Sequence, residues 1–233
     1  MSGGLVCGFW DEAARLAGLG WQLGEASGGV VMRGDTVTPT SAEIDGGDES
    51  VRLELKSGDE RIEAELTPRH EGAPANGDGN ETSPCGATVR VAGQRRVIEC
   101  RGYLTRWAAD PLHEAGLLRH LAMPVADGGV LVVLARAKAG EGFAEEHSSA
   151  LLLDAEGGAS SYPHAFLSTQ YDGEGRQTRA GLELWSSDEE APPIRAAGTL
   201  LGEVAEGDGV SAAILRTSAA GATGFGGYLI WRA

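Results

Sequence analysis

The feature that most constrains the fold is a repeat of short apolar runs separated by turn residues. Glycine is abundant, with 36 among 233 residues, and it is spread between these runs rather than massed in one tract. Glycine supplies the positive φ that tight turns need, so this distribution predicts many short strands joined by turns. The sequence shows no regular alternation of strands with helices, which argues against a parallel α/β fold. We therefore predict an all-β antiparallel barrel or sandwich with about ten strands.

Residues 51–66 contain the clearest hairpin. Apolar residues alternate on one face of two runs, separated by a turn in which Gly58 is available for positive φ. These apolar residues are Val51, Leu53, Leu55, Ile62, Ala64 and Leu66. The alternate positions predict a solvent face with cross-strand charge pairs. They are Arg52, Glu54, Lys56, Arg61, Glu63 and Glu65.

Two helices are predicted outside the strands. Asp110 followed by Pro111 is a strong helix start, and it predicts one short helix near residues 110–121, closed by Pro124. Asp11 could cap another over residues 11–17, with a strand pair around Trp10 and Trp21 as the rival interpretation. After the first helix, the run GVLVVLARAK is apolar on both faces, which predicts a strand covered on both sides.

The remaining strands are predicted at 145–154, 165–172, 177–186, 194–204, 210–218 and 226–232. Residues 69–86 are rich in glycine, proline, asparagine and acids, so we expect a flexible loop and a boundary there. The chain then divides into an N-terminal β-rich part (1–68), the loop (69–86) and a main β domain (87–233). The N-terminal part is either a reduced second sheet or the start of the barrel. The glycines of ATGFGGYLIW predict a bulge or tight turn before the closing strand rather than a phosphate loop.

The strand around residues 95–107 carries the most suggestive pattern. One face holds ordinary core residues, namely Ile98, Cys100, Gly102 and Leu104. The other mixes aromatic and charged residues, namely Val97, Glu99, Arg101, Tyr103, Thr105 and Trp107. Such a face is either the wall of a pocket or an outer face where Glu and Arg ladders are routine.

In the pocket interpretation, Glu99, Arg101 and Tyr103 are the candidate catalytic residues. Burial beside aromatic side chains raises a carboxyl pKa, which would suit Glu99 to a general-acid role, whereas a guanidinium close by opposes that shift. Trp107 would line the same pocket and bind the ligand. Under this hypothesis Glu99 must face a lumen and be buried.

Three further residues are candidate ligand contacts. His147 shares a strand face with Glu145. The two residues are either an acid–base pair, half of a metal site, or only charged residues at the start of a strand. Tyr171 is either a hydroxyl donor in a lumen or a core tyrosine. Trp185, near the end of the predicted strand 177–186, is the third candidate ligand contact. His113 and His120 lie on one face of the predicted helix, too far apart to share an ion.

Charge and cysteine content exclude several classes. The net charge of −15 makes nucleic acid and anionic membranes poor partners. No run of about 20 apolar residues and no signal-peptide pattern is present, so we expect a cytoplasmic protein without membrane insertion. Cys7, Cys85 and Cys100 form no CxxC pair and are expected to be free thiols. No metal or cofactor is predicted, and the oligomeric state is left open.

The order of motifs over residues 85–231 resembles a known family. The runs that carry the resemblance are ECRGYLTRW, EEHSSALLL, LSTQYDGEGRQTRAGLELW and GFGGYLIW. They are similar to the later part of lipocalin-like proteins related to hydroxyneurosporene synthase, the carotenoid hydratase. The resemblance implies a lipocalin-like barrel or barrel-like sandwich, in a family with two such domains. Because this chain is shorter, one domain is expected to be reduced.

The resemblance also implies a function. We expect an apolar, terpenoid- or polyketide-like molecule to bind in a β-barrel pocket and to react by proton transfer, in a hydratase or cyclase of secondary metabolism. The alternatives are a non-catalytic carrier of such a molecule and a structural module with no ligand. A desolvated carboxylate in the pocket would favour the enzyme, and an all-apolar pocket would favour the carrier.

Overall fold

The computed structural model describes residues 3–74, 79–141, 145–186, 192–202, 205–207 and 209–233. Its strands form two antiparallel sheets, one from each half of the chain. The first sheet contains β1 (Gly4–Asp11), β2 (Leu16–Leu23), β3 (Ala26–Arg33), β4 (Thr36–Gly46), β5 (Val51–Ser57), β6 (Glu60–Pro68), β7 (Ala73–Pro74), β8 (Asn80–Val91) and β9 (Val97–Trp107).

The first sheet closes into a barrel. Its strands follow the order β6-β5-β4-β3-β2-β1-β9-β8, and β6 also pairs with β8. The short strand β7 continues the line of β6 along β8. Closure satisfies the strand edges that an open sheet would expose. The strands of the N-terminal part are therefore the start of a barrel, which β8 and β9 complete, and not a reduced second sheet.

The second sheet contains β10 (Ala115–Pro124), β11 (Val130–Lys138), β12 (His147–Leu153), β13 (Ala159–Tyr162), β14 (His164–Tyr171), β15 (Gln177–Trp185), β16 (Ile194–Leu200), β17 (Ala205–Gly207), β18 (Val210–Ala219) and β19 (Ala222–Arg232). Its strand order is β13-β12-β11-β10-β19-β18-β16-β15-β14, with β17 beside β18. This barrel is nearly closed. At the seam between β12 and β14, Ser148 Oγ donates a hydrogen bond to the carbonyl of Ala165.

Three apolar clusters hold the molecule together. One fills the first barrel around Phe9, Leu53 and Leu104, and another fills the second around Leu121 and Tyr228. The third joins the two barrels, with β1, β2 and β3 on one side and β10, β11, β18 and β19 on the other. The barrels therefore pack side by side through a buried interface.

The interface explains strands that are apolar on both faces. In β11, Leu131 and Val133 face the barrel interior, while Val130, Val132 and Leu134 face the other barrel. The prediction that GVLVVLARAK is covered on both sides is confirmed. β19 behaves in the same way, and Gly227 lets the barrels approach closely. A Cβ at this residue would lie 3.2 Å from Leu19 Cδ1 of β2.

Several sequence predictions are confirmed. The 51–66 hairpin is β5–β6, and Gly58 in its turn has φ +58°. Its apolar face lies in the first barrel, and its other face carries ion pairs such as Arg52–Glu63 at 3.4 Å. The remaining predicted strands match β12, β14, β15, β16, β18 and β19.

Both predicted helices are wrong. Asp110 Oδ1 accepts a hydrogen bond from Leu112 N, at 2.9 Å, within a turn that leads into β10. Asp11 Oδ1 accepts from Ala14 N in the β1–β2 turn, so the rival strand pair around Trp10 and Trp21 is correct. Aspartate caps turns as well as helices, and strand pairing decided between the two.

The boundary expected at 69–86 lies inside the first barrel. Residues 80–86 begin β8, which pairs with both β6 and β9, and the change of sheet falls between Trp107 and Ala115. The polar composition of this segment indicated a loop, but the neighbouring strands satisfy its backbone. Residues 75–78 of the predicted loop lie outside the described residues. The terminal glycines Gly224, Gly226 and Gly227 lie within β19 rather than in a turn before it.

Candidate functional site

The two faces of β9 have different environments. The face of Cys100 and Leu104 fills the first barrel, as expected. The opposite face is the outside of this barrel, and its C-terminal half is covered by the second barrel. There Tyr103, Thr105 and Trp107 are buried, with exposed fractions of 1%, 0% and 7%.

Glu99 and Arg101 occupy the uncovered half of this face. Both are exposed, and Thr88 Oγ1 donates to Glu99 Oε2 at 3.4 Å. Glu99 therefore lies on an outer face, which is the alternative to the pocket-wall interpretation, because the outer face of β9 leaves the contact with the second barrel before it reaches Glu99. The burial that an acid role requires is absent at this residue.

Cross-strand pairing sets polar residues among the aromatic ones. Thr82 of β8 pairs with Thr105 of β9, and Thr105 pairs with Val6 of β1. Val6 in turn pairs with Trp21 of β2. Directly paired residues point to the same side of a sheet, so this row faces the second barrel. In the next row, Asn80 pairs with Trp107.

His120 of β10 completes the arrangement from the second barrel. Thr82 Oγ1 lies 3.0 Å from Thr105 Oγ1, and Thr105 Oγ1 lies 3.1 Å from His120 Nε2. The imidazole stacks on Tyr103 with ring centroids 5.5 Å apart, and it meets Trp107 edge-on at 6.1 Å. We call Asn80, Thr82, Tyr103, Thr105, Trp107 and His120 the interface cluster.

The titratable groups of this cluster are neutral at pH 7. Burial lowers the pKa of His120 to about 3, because a charged imidazolium is poorly solvated in the interface. Burial also raises the pKa of Tyr103 well above its ordinary value, with a smaller contribution from Cys7. The cluster therefore offers neutral donors and acceptors of hydrogen bonds rather than fixed charges.

Several buried polar atoms of the interface have no hydrogen-bond partner among the described residues. They are Tyr103 Oη, His120 Nδ1, Asn80 Oδ1, Asn80 Nδ2 and Trp21 Nε1. Most buried polar groups in folded proteins are paired, since an unpaired one costs about 1–3 kcal/mol. Five of the ten such atoms among the described residues lie at this aromatic interface.

A surface cleft of about 450 Å³ lies between the barrels near the cluster. Trp10, Glu99 and Arg101 are among its lining residues. The Trp10 ring lies 6.1 Å from the Tyr103 ring, centroid to centroid. Trp10 therefore contacts both the cleft and Tyr103 of the cluster, while the cluster residues themselves do not line the cleft.

The other predicted ligand contacts lie away from the interface cluster. His147 is exposed and lines a separate cavity of the second barrel. Tyr171 is 38% exposed and accepts a hydrogen bond from Arg232 at 2.7 Å, so it is neither a lumen donor nor a core residue. Trp185 is 40% exposed. Of the seven predicted residues, the structure brings together Tyr103 and Trp107.

Sequence reasoning missed His120, Thr105, Thr82 and Asn80. The sequence predicts a helix around His120 and a loop around Asn80 and Thr82. A signal is present in LLRHLAM, where Leu118, His120 and Ala122 alternate on one strand face. The helix start at Asp110–Pro111 favours helical periodicity over that alternation.

Three observations limit the chemistry of the described residues. They contain no group of three or more His, Cys, Asp or Glu residues placed to hold a metal ion. Their three cysteines are free and buried, and burial raises the pKa of Cys85 and Cys100 to about 12. These thiols are therefore protonated and unreactive at neutral pH.

None of the residues that the structure describes belongs to a helix long and apolar enough to span a membrane.

Comparison with known proteins shows likeness in structure without likeness in sequence. No protein-family model matches the chain, and no curated protein matches its sequence. An AttH-type protein from Nitrosomonas europaea superimposes with a TM-score of 0.65 at 11% identity, over 98% of this chain and 90% of that one. Kievitone hydratase from Nectria haematococca gives 0.64 at 10% identity, over 100% and 89%.

CghA, in its structure with Sch210972, gives a TM-score of 0.62 at 10% identity, over 99% of this chain and 87% of CghA. At such identities the likeness concerns the fold, and it extends over nearly the whole of each protein rather than residues 85–231 alone. The chain thus has the fold of these proteins, two antiparallel lipocalin-like β-barrels packed side by side.

Proposed function

We propose that the chain binds an apolar small molecule, of terpenoid or polyketide type, between its two barrels and acts on it as a hydratase or cyclase. The observation that carries the proposal is the set of unpaired polar atoms at the interface cluster. A ligand with polar groups on an apolar skeleton would supply their partners and bury its own surface against Trp10, Trp21 and Trp107. The interior of the first barrel is a poorer candidate because apolar side chains fill it.

The hydrogen-bond chain determines what His120 can offer. In the tautomer protonated at Nε2, the imidazole donates to Thr105 Oγ1, and Thr105 donates to Thr82 Oγ1. This arrangement leaves the lone pair of Nδ1 free to accept a hydrogen bond or a proton. Stacking on Tyr103 and edge contact with Trp107 fix the plane of the ring, so that Nδ1 is held in place before a ligand arrives.

The neutral character of the cluster favours cyclisation over hydration of an isolated alkene. Protonating an alkene needs a strong acid, whereas the buried polar residues here are Asn80, Thr82, Thr105 and His120, all uncharged at pH 7. Tyr103 Oη and Asn80 Nδ2 can instead donate hydrogen bonds to a carbonyl oxygen as charge develops on it. His120 Nδ1 would accept the proton released from a nearby acidic position.

The structural likeness supports the class of hydratases and cyclases. Kievitone hydratase has this fold and is named for a hydration reaction, and CghA is known in complex with Sch210972. The AttH-type protein shares the fold as well. A fold hosts many reactions, so the choice among them depends on the interface cluster.

A carrier without catalytic activity is the second candidate. A His120 pKa near 3 makes the imidazole a weak base, which suits binding as well as it suits catalysis. The two functions differ in a single observable, since a carrier returns its ligand unchanged.

Tryptophan fluorescence tests the proposal directly, because Trp107 belongs to the interface cluster and Trp10 and Trp21 lie in the same apolar core. Kievitone and Sch210972 are suitable first probes, followed by linear polyenes with a terminal carbonyl, with products followed by mass spectrometry. We expect quenching by at least one probe, and binding weakened about tenfold by Tyr103→Phe, as for a lost hydrogen bond. The matched control is Tyr228→Phe, in the interior of the second barrel. Absence of quenching by every probe would reject the site and leave the structural module.

A further inference from the structure

The second barrel contains a buried ion pair that the interface cluster does not use. Alternate residues of β10 face opposite ways, so Arg119 faces the interior of the second barrel while His120 faces the other barrel. Arg119 pairs with Glu146, which precedes β12, and the two side chains are 6% and 5% exposed. Buried charges are costly unless their hydrogen-bonding groups are paired. The other contacts of Arg119 and Glu146 therefore show which of these groups are still available to a ligand.

The guanidinium has a partner for each of its five N–H groups. Nε and Nη2 both donate to Glu146 Oε1, the former at 2.9 Å. Nη2 also donates to the carbonyl of Leu167 at 2.9 Å. Nη1 donates to Thr169 Oγ1 at 3.1 Å and to Tyr228 Oη at 3.4 Å. Arg119 therefore has no donor left for a ligand.

Glu146 is different, because Oε1 receives both bonds from Arg119. Glu146 Oε2 is buried and has no hydrogen-bond partner among the described residues. A carboxylate oxygen has lone pairs for two or more donors, so one strong acceptor is unused on a side chain that is 95% buried, given its 5% exposure.

Arg119 and Glu146 line a cavity of about 590 Å³. It lies at the seam between β12 and β14, where the barrel is not fully closed. Its wall comes mainly from β14 and the residue before it, including Ala165, Leu167 and Pro163. Phe166, 66% exposed, lies at the edge, and an exposed aromatic ring beside an apolar cavity is typical of a binding site.

We propose that this cavity is a second ligand site, for a neutral apolar alcohol or phenol whose hydroxyl donates to Glu146 Oε2. The charge of Glu146 is already offset by Arg119, so an ammonium group would meet the nearby guanidinium. A ligand carboxylate would face Glu146 and find the Arg119 donors occupied. A neutral hydroxyl satisfies the free oxygen and leaves the apolar skeleton against Leu167 and Phe166.

The test uses the full chain with three matched probes: 2-naphthol, naphthalene and 2-naphthoate, titrated by calorimetry at pH 7. We expect 2-naphthol to bind at least about tenfold more tightly than the other two, as for a charge-assisted hydrogen bond. Equal binding of naphthol and naphthalene, tighter binding of naphthoate, or no binding of naphthol would overturn the proposal.

Two variants and a mapping experiment locate the site. Glu146→Gln should reduce the preference for naphthol over naphthalene to about threefold or less, because a neutral amide oxygen accepts a weaker hydrogen bond than a carboxylate oxygen. Should that variant fail to fold, Phe166→Ala still tests the cavity, because its exposed side chain is not needed for folding. It should weaken naphthol binding about threefold or more through lost ring contact, whereas Val97→Ala on the first barrel should not.

Hydrogen exchange of the wild-type chain with naphthol completes the test. We expect added protection in residues 146–148 and 163–168, which line the cavity. Protection confined to the interface strands β9 and β10 would assign naphthol to the interface cluster and overturn the second site. Because no residue of the interface cluster lines the Glu146 cavity, failure here leaves the proposed function intact.

Discussion

Tyr103 of the first barrel stacks on His120 of the second, with ring centroids 5.5 Å apart and planes inclined by 18°. Each ring carries a polar atom without a partner among the described residues, Tyr103 Oη and His120 Nδ1. The contact therefore serves two purposes. It joins the barrels through buried aromatic surface, and it holds two unused hydrogen-bonding groups at fixed positions.

The two buried tyrosines should respond oppositely to removal of the hydroxyl. Tyr103→Phe deletes an unpaired group, so the free energy of unfolding should stay unchanged or rise by up to about 1–2 kcal/mol. Tyr228→Phe deletes a hydroxyl bonded to Thr169 and near Arg119, and should lower it by about 1–2 kcal/mol. Urea unfolding of both variants measures the difference. A larger loss for Tyr103→Phe would mean that its hydroxyl is paired in solution.

The neutral His120 should make stability fall in mild acid. Its pKa is about 3 in the folded chain and about 6.5 when unfolded. The unfolded state therefore binds a proton below pH 6.5 that the folded state does not. Stability contributed by the neutral imidazole is complete above pH 6.5 and is lost progressively toward pH 3, with about 2 kcal/mol gone at pH 5.

Comparison of unfolding free energies at pH 7 and pH 5 isolates this contribution. His120→Gln should remove about 2 kcal/mol of the pH dependence, because the titrating group is gone. His147→Gln is the matched control, since His147 is exposed, and should leave the dependence unchanged. Identical pH dependence in wild type and His120→Gln would show that His120 is protonated, or solvated, in the folded chain.

Glu99→Gln should have little effect. Glu99 is exposed and lines the inter-barrel cleft, so the substitution should change the free energy of unfolding by less than about 0.5 kcal/mol. We expect ligand turnover to change less than about threefold, far below the 100-fold scale of a lost general acid. The turnover rates of Glu99→Gln and Tyr103→Phe, measured with the same ligand, make the comparison. A 100-fold loss would restore Glu99 as the acid.

The Arg119–Glu146 pair should show strong coupling. Arg119→Met leaves the Glu146 charge buried alone and should cost about 3–5 kcal/mol. Adding Glu146→Leu removes that charge, so the double variant should be more stable than Arg119→Met. A thermodynamic cycle from urea unfolding measures the coupling. Additive losses would indicate that Glu146 reaches solvent when Arg119 is absent.

The local sequence determined the antiparallel β class and much of the register, but it predicted about ten strands where the described residues form nineteen. Alternation in residues 51–66 fixed which side chains face inward, because one residue of slip would expose every apolar side chain of that face. The doubly apolar run 130–138 likewise predicted coverage on both faces. Such patterns depend on burial alone, and the polarity of each residue type determines whether it is buried.

The tertiary structure decided where the barrels divide and which residues meet. Asp110–Pro111 and the polar segment 69–86 have local preferences that suit a helix start and a loop, yet strand pairing overrode both. The outer face of β9 is continuous in sequence, but packing of the second barrel buries Tyr103 and leaves Glu99 in solvent. His120 and Thr105 are brought together by that packing, and no local pattern in either strand encodes which surface of one barrel the other will cover.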